Sequence, residues 1–62
     1  MNQSELMSIR GEAWSIRPGE PPPPGEYLGS LYHMDVEYQY FRDESGAYFY
    51  RRWPEYDPVK NK

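Results

Sequence analysis

Residues 32–53 read YHMDVEYQYFRDESGAYFYRRW, and this stretch decides the fold. Apolar or aromatic side chains stand at every second position from Tyr32 to Tyr40, and mostly polar side chains stand between them. A period of two with one polar face is typical of a half-buried β-strand, and tyrosine, phenylalanine and valine favour that geometry. The pattern therefore predicts a strand over residues 31–41.

A turn and a return strand follow this first strand. Residues 43–46, DESG, have the composition of a turn, and Gly46 can take the left-handed conformation that closes such loops. Residues 47–53 are again rich in aromatic side chains, and Pro54 ends the run because proline cannot donate to a strand ladder. Together the two runs predict an aromatic hairpin in which 31–41 pairs with 47–53.

The length of the loop sets the register of this hairpin, and the sequence leaves two lengths open. A four-residue loop, which is slightly favoured, pairs Tyr40 with Phe49 and Val36 with Trp53. These two pairs would then share the apolar face of the hairpin. A three-residue loop moves every pairing by one residue.

The N-terminal third gives weaker signals. Residues 1–7 predict a flexible or short helical N-terminus, with Ser4 as a candidate cap. Residues 9–17 predict a third strand, with Trp14 and Ile16 on one face. The sequence offers no convincing helix to cover the sheet.

A proline-rich segment separates this part from the hairpin. Residues 18–25, PGEPPPPG, predict a polyproline connector, because each proline lacks an N–H and has a fixed φ. At the other end, residues 55–58 predict a turn and residues 59–62 a frayed tail. The predicted fold class is mainly β: a small antiparallel sheet of about three strands, with a C-terminal aromatic hairpin and a polyproline connector, in one domain of residues 1–62.

Composition limits the function classes. The chain has 62 residues, no cysteine and a single histidine, His33, so we expect neither disulfides nor a metal site or other cofactor. The net charge of −3 has the wrong sign for a general nucleic-acid binder. No apolar run is long enough to span a membrane, so the expected location is cytoplasmic. With no Gly-rich phosphate loop and no thiol nucleophile, we do not expect an enzyme.

The aromatic content indicates binding. A domain this small has difficulty hiding so many rings without a partner, and exposed Tyr, Trp and Arg side chains supply much of the energy of interfaces. We expect a protein-binding module that covers a surface of a larger partner, such as a small inhibitor, adaptor or accessory protein of the kind that bacteriophage or mobile elements encode. The predicted contact residues are Tyr38, Tyr40, Phe49, Tyr50, Arg52 and Trp53.

Two alternatives remain open. A single-stranded nucleic-acid platform would use Tyr48, Tyr50, Arg51 and Arg52, because bases stack on rings while cations hold phosphates. A structural subunit of a homo-oligomer would instead bury its aromatic face between copies of the chain.

Overall fold

The structure, a computed structural model, describes residues 1–55 and has the predicted mainly β fold. The described residues form one helix, α1 (Gln3–Ile9), and four strands, β1 (Trp14–Ser15), β2 (Gly25–His33), β3 (Val36–Asp43) and β4 (Tyr48–Trp53). The strands form one sheet in the order β1-β4-β3-β2. β1 runs parallel to β4 and the other neighbours are antiparallel, so the sheet is mixed and not antiparallel throughout as predicted. The turn predicted at 55–58 and the tail predicted at 59–62 extend outside the described residues.

The predicted aromatic hairpin is confirmed as β3 and β4, but its register is the alternative one. Phe41 pairs with Phe49 and Tyr40 with Tyr50. The loop therefore holds three residues, 44–46, and the four-residue register is wrong.

Asp43 fixes the shorter loop. Its carboxylate accepts from the Ser45 hydroxyl at 2.7 Å and from the backbone N–H groups of Ser45 and Ala47, both at 2.9 Å. These hydrogen bonds, led by that of the Ser45 side chain, lower the pKa of Asp43. Gly46 closes the loop at φ 91°, in the left-handed region as predicted.

The predicted strand 31–41 is interrupted by a tight turn. Met34 and Asp35 both have positive φ, 52° and 65°, and His33 pairs with Val36. Two successive left-handed residues are the signature of a two-residue hairpin turn. Residues 31–33 therefore end β2, and β3 begins after the turn.

β2 is the third long strand of the sheet. The strand predicted near 9–17 is limited to Trp14–Ser15, because the chain before it is helical through Ile9. β2 pairs along β3 with a register shift between Tyr27 and Gly29, where the sheet has a bulge.

A covering helix is present, contrary to expectation, and Asn2 rather than Ser4 caps it. The Glu5 N–H donates to the Asn2 side-chain oxygen at 2.9 Å, and the Asn2 N–H donates to the Glu5 carboxylate at 3.5 Å. This reciprocal pair is a capping box. The Met1 ammonium group donates to the Leu28 carbonyl at 2.8 Å, which fastens the start of the chain to β2.

The core lies between α1 and one face of the sheet, which we call the helix face. Leu6 and Ile9 of α1 are buried against Leu28 and Tyr40. Since side chains alternate along a strand, Phe41 lies on the opposite face, which we call the open face. Partly buried side chains surround the core: Ala13, Leu31, Tyr38, Tyr48 and Tyr50.

The polyproline connector joins β1 to β2 without regular secondary structure before Gly25. The Gly19 N–H donates to the Glu55 carboxylate. Pro21 and Pro23 line a surface cleft together with Phe49, so this segment lies beside β4.

We expect Asn2→Ala to destabilise the fold by about 1 kcal/mol, because a first-turn N–H loses its acceptor. Urea unfolding followed by circular dichroism measures the effect. Ser4→Ala is the matched control and should change stability by less than about 0.5 kcal/mol, since alanine favours a helix interior. Equal losses for the two variants would contradict the assignment of the cap.

Candidate binding surfaces

The register of the sheet brings aromatic side chains from all four strands into one row on the open face. Trp14 pairs with Phe49, Phe49 with Phe41, and Phe41 with Tyr27. Directly paired residues point to the same face. The Tyr27 and Phe41 rings lie 5.5 Å apart. We call this line of four side chains the aromatic row.

A second line crosses the open face at its other end. Trp53 pairs with Glu37, and Glu37 with Tyr32. At roughly 3.3 Å per residue, the two lines are about 13 Å apart along β4. Trp14 and Tyr32 are each 68% exposed, and Tyr27 and Trp53 are also exposed. The open face therefore presents aromatic side chains at both ends.

Arg51 lies between these two lines. Its guanidinium carbon is 4.4 Å from the centroid of the Trp53 ring and 5.4 Å from that of Phe41. Its Nε donates to the Gln39 side-chain oxygen at 2.8 Å. Two rings and one hydrogen bond hold the cation in place, and none of the ion pairs found in residues 1–55 involves it.

The polar side chains of the open face form a continuous chain. Gln39 donates to the Glu37 carboxylate at 3.4 Å, and the Ser30 hydroxyl donates to the same oxygen at 2.6 Å. The Tyr27 and Ser30 hydroxyls share a further hydrogen bond. Because these groups are already ordered, docking a partner costs them little conformational entropy.

A second surface is a groove of about 440 Å³ on the helix face. Three tyrosines of the central strands line it, with the Tyr40 and Tyr50 ring centroids 5.8 Å apart and those of Tyr38 and Tyr50 6.4 Å apart. We call it the tyrosine groove. Its other lining residues are Met7, Arg10, Leu31, Tyr32 and His33. Tyr32 also belongs to the second line of the open face, so it borders both surfaces at the end of β2.

The tyrosine groove contains a buried phenol, that of Tyr40, and a cation, Arg10. Burial raises the pKa of Tyr40, and the positive charge of Arg10 acts in the opposite direction. The Tyr40 hydroxyl therefore stays protonated at neutral pH. The groove is lined by Arg10 and His33, while none of its lining residues within 1–55 is acidic.

The predicted contact residues are divided between the two surfaces. Only 5% of Tyr40 is exposed, so its ring belongs to the core. The residues named for a nucleic-acid platform are divided in the same way, with only Arg51 on the open face. The predicted contacts on the helix face are Tyr38, Tyr40, Tyr50 and Arg52, and those on the open face are Phe49 and Trp53.

Three exposed aromatic residues of the open face were not among the predicted contacts: Trp14, Tyr27 and Tyr32. They come from β1 and β2, which lie at opposite edges of the sheet. No local sequence signal joins them, because only the strand order and the register place them on the face of Trp53.

Comparison with known proteins adds no assignment. Neither protein-family models, nor curated proteins, nor solved structures give a match for this chain. Within residues 1–55, no helix has both the length and the apolar character needed to cross a membrane. The function proposed below is therefore argued from the two surfaces alone.

Proposed function

We propose that this chain is a non-enzymatic protein-binding module that covers a surface of a larger partner through its open face, as small inhibitors, adaptors and accessory proteins do. One observation carries the proposal: a single sheet face exposes four large aromatic side chains. Tryptophan and tyrosine are enriched among the residues that dominate binding energy, and exposed apolar patches mark interaction sites. The four side chains are Trp14, Tyr27, Tyr32 and Trp53.

The size of this surface supports a protein partner. An aromatic side chain buries about 150–250 Å² when it is fully enclosed. The four side chains are between 40% and 68% exposed, so docking would bury roughly 400–500 Å² on them. That is more than half of the ~800 Å² that each side of a standard interface buries. The polar chain between the aromatic lines would supply the rest.

The charge of the open face favours protein over nucleic acid. Within the described residues, the sheet register places one cation, Arg51, on this face, and it places the carboxylate of Glu37 on the same face. Arg52 lies on the helix face. Binding to single strands relies on several cations that track the phosphates, and the net charge of −3 opposes it.

Affinity capture from the native host's lysate tests the proposal. We expect Trp53→Ala to weaken capture of the partner about 30-fold, the effect of losing about 2 kcal/mol at a dominant contact. Met34→Ala is the matched control, because Met34 is exposed at the β2–β3 turn and should leave capture unchanged. Both tryptophans of the chain lie on the open face, so indole fluorescence reports binding of the purified partner directly.

Three outcomes would contradict the proposal. If Trp53→Ala and Trp14→Ala both retain every captured protein, the open face is not the contact surface. Oligonucleotide binding that weakens steeply with salt would support a nucleic-acid platform instead. A dimer that forms at micromolar concentration and buries both indoles would support the homo-oligomer.

A further inference from the structure

We propose that the tyrosine groove binds a small organic anion, a carboxylate or phosphate monoester on an apolar or aromatic body. The groove lies on the helix face and shares one lining residue, Tyr32, with the exposed side chains of the open face. The proposal does not depend on the function proposed above. The groove has about 440 Å³, within the ~300–1,000 Å³ typical of small-molecule sites. It is concave and combines apolar walls with a few polar groups, the composition that such sites share.

The charge of the groove is opposite to that of the whole chain. Arg10 and His33 line it, and no carboxylate in residues 1–55 does so, although the net charge of the chain is −3. Arg10 immediately follows α1, and its charge acts on the Tyr40 hydroxyl at the buried end of the groove. A ligand anion would be attracted to this corner, because a guanidinium group binds carboxylates and phosphates with paired N–H donors.

The tyrosine hydroxyls would donate to the same anion. Tyr40 is buried and its phenol stays protonated, so it can donate but does not compete as a negative charge. Because the Tyr40 ring stacks on the Tyr50 ring, its hydroxyl is already held in position. Binding an anion therefore costs it little conformational entropy. A neutral ligand of the same shape would miss both the guanidinium group and the charge-assisted hydrogen bonds.

The apolar walls select the body of the ligand. Leu31 is half-buried beside the core, and Met7 is exposed at the edge of α1. Methionine side chains adapt to irregular apolar shapes and make favourable contacts with rings. The groove thus suits a phenyl-sized group next to the anion better than a free inorganic ion.

Titration with three simple probes tests this site: benzoate, phenyl phosphate and benzyl alcohol. Amide chemical shifts of the labelled protein should move at Arg10, His33 and Tyr40, and at least one anion should bind ten-fold or more tightly than the neutral alcohol. A preference for phenyl phosphate assigns the ligand as a phosphate monoester, and a preference for benzoate assigns a carboxylate. Equal binding of benzyl alcohol would overturn the proposal.

Two arginine variants separate a local site from general electrostatics. Arg10→Gln should weaken binding of the preferred anion about ten-fold, and Arg10→Lys should restore part of the loss. Arg17→Gln changes the net charge equally at an exposed position outside the groove, and should have no effect. Equal losses for Arg10→Gln and Arg17→Gln would overturn the proposal.

The tryptophans provide an internal control in the same samples. Because Trp14 and Trp53 lie on the open face, their fluorescence should stay constant while the groove fills. A bound anion should also raise the pKa of Tyr40 further, since a second negative charge nearby opposes ionisation of the phenol. Probe-induced changes confined to the indoles would place the probes on the open face and refute the groove as their site.

Discussion

Replacing Leu6 with alanine is expected to destabilise the fold by about 3 kcal/mol, within the range measured for buried leucines. Leu6 is 1% exposed, the lowest exposure of any core residue described. Its Cδ1 would lie 3.1 Å from a Cβ built on Gly29, so the side chain packs directly on the backbone of β2. That backbone cannot easily collapse into the space left by alanine, and a cavity remains.

The small size of the chain makes this loss severe. At about 0.1 kcal/mol per residue, a domain of this length has only ~6 kcal/mol of stability. Losing half of it should lower the melting temperature by roughly 15 °C. Met7→Ala is the control, because the neighbouring side chain is 59% exposed and should change stability by less than about 0.5 kcal/mol. If the Leu6→Ala and Met7→Ala variants have the same melting temperature, α1 does not pack on the sheet.

The sequence was sufficient to predict the parts of the fold that depend on local chemistry. Residues 43–46 contain both the carboxylate that accepts hydrogen bonds within the loop and the glycine that takes a positive φ there. The flanking runs alternate or are aromatic, so the hairpin of β3 and β4 follows directly. The signal for α1 was also present, since Asn2 and Glu5 have the spacing of a capping box.

The turn between β2 and β3 could not be predicted in the same way. Met34 and Asp35 lack the glycine or asparagine that usually marks a two-residue hairpin turn. The alternating pattern also continues through them, so it resembles one uninterrupted strand. The structure shows the turn through two contacts that the pattern does not reveal: β2 packs against α1, and His33 pairs with Val36.

The hairpin register separates the predicted contact residues onto the two faces of the sheet. In the four-residue register, Phe49 and Trp53 would share the face of Tyr38 and Tyr40. The three-residue loop moves each pairing by one residue, and a slip of one residue moves every side chain of a strand to the other face. Tyr50 therefore joins the helix face, while Phe49 and Trp53 join the aromatic lines of the open face.

This division separates two chemical environments on one small sheet. The helix face combines phenols with the positive charge of Arg10, whereas the open face combines indoles and phenols with Arg51 held between rings. Adjacent residues of β4 therefore contribute to opposite surfaces. Tyr32 borders both surfaces, but a substitution at Trp53 changes none of the residues that line the tyrosine groove, so this contact of the open face can be tested by itself.

Gly25→Ala is the second substitution with a large expected effect, about 3 kcal/mol, because it forces apart the first pair of β2 and β3. Gly25 has φ 155° and pairs with Asp43. An added Cβ would overlap the Arg42 carbonyl oxygen and lie 2.9 Å from the Asp43 Cα, and both of these are backbone atoms that cannot rotate away. The start of β2 would have to leave the sheet, which also separates the Glu26 carboxylate from the Arg42 guanidinium group.

Gly11→Ala provides the matched control for this prediction. A Cβ at Gly11 would meet no atom within 4 Å, so the variant should be as stable as the wild type or slightly more stable, because alanine restricts the unfolded chain. Urea unfolding should give a much lower midpoint for Gly25→Ala than for Gly11→Ala, and the amide signals of Glu26 and Asp43 should shift in the folded state. If the two variants unfold at the same urea concentration, β2 does not begin against the backbone of Arg42. The position of Tyr27 at the edge of the open face, which depends on that pairing, would then also be wrong.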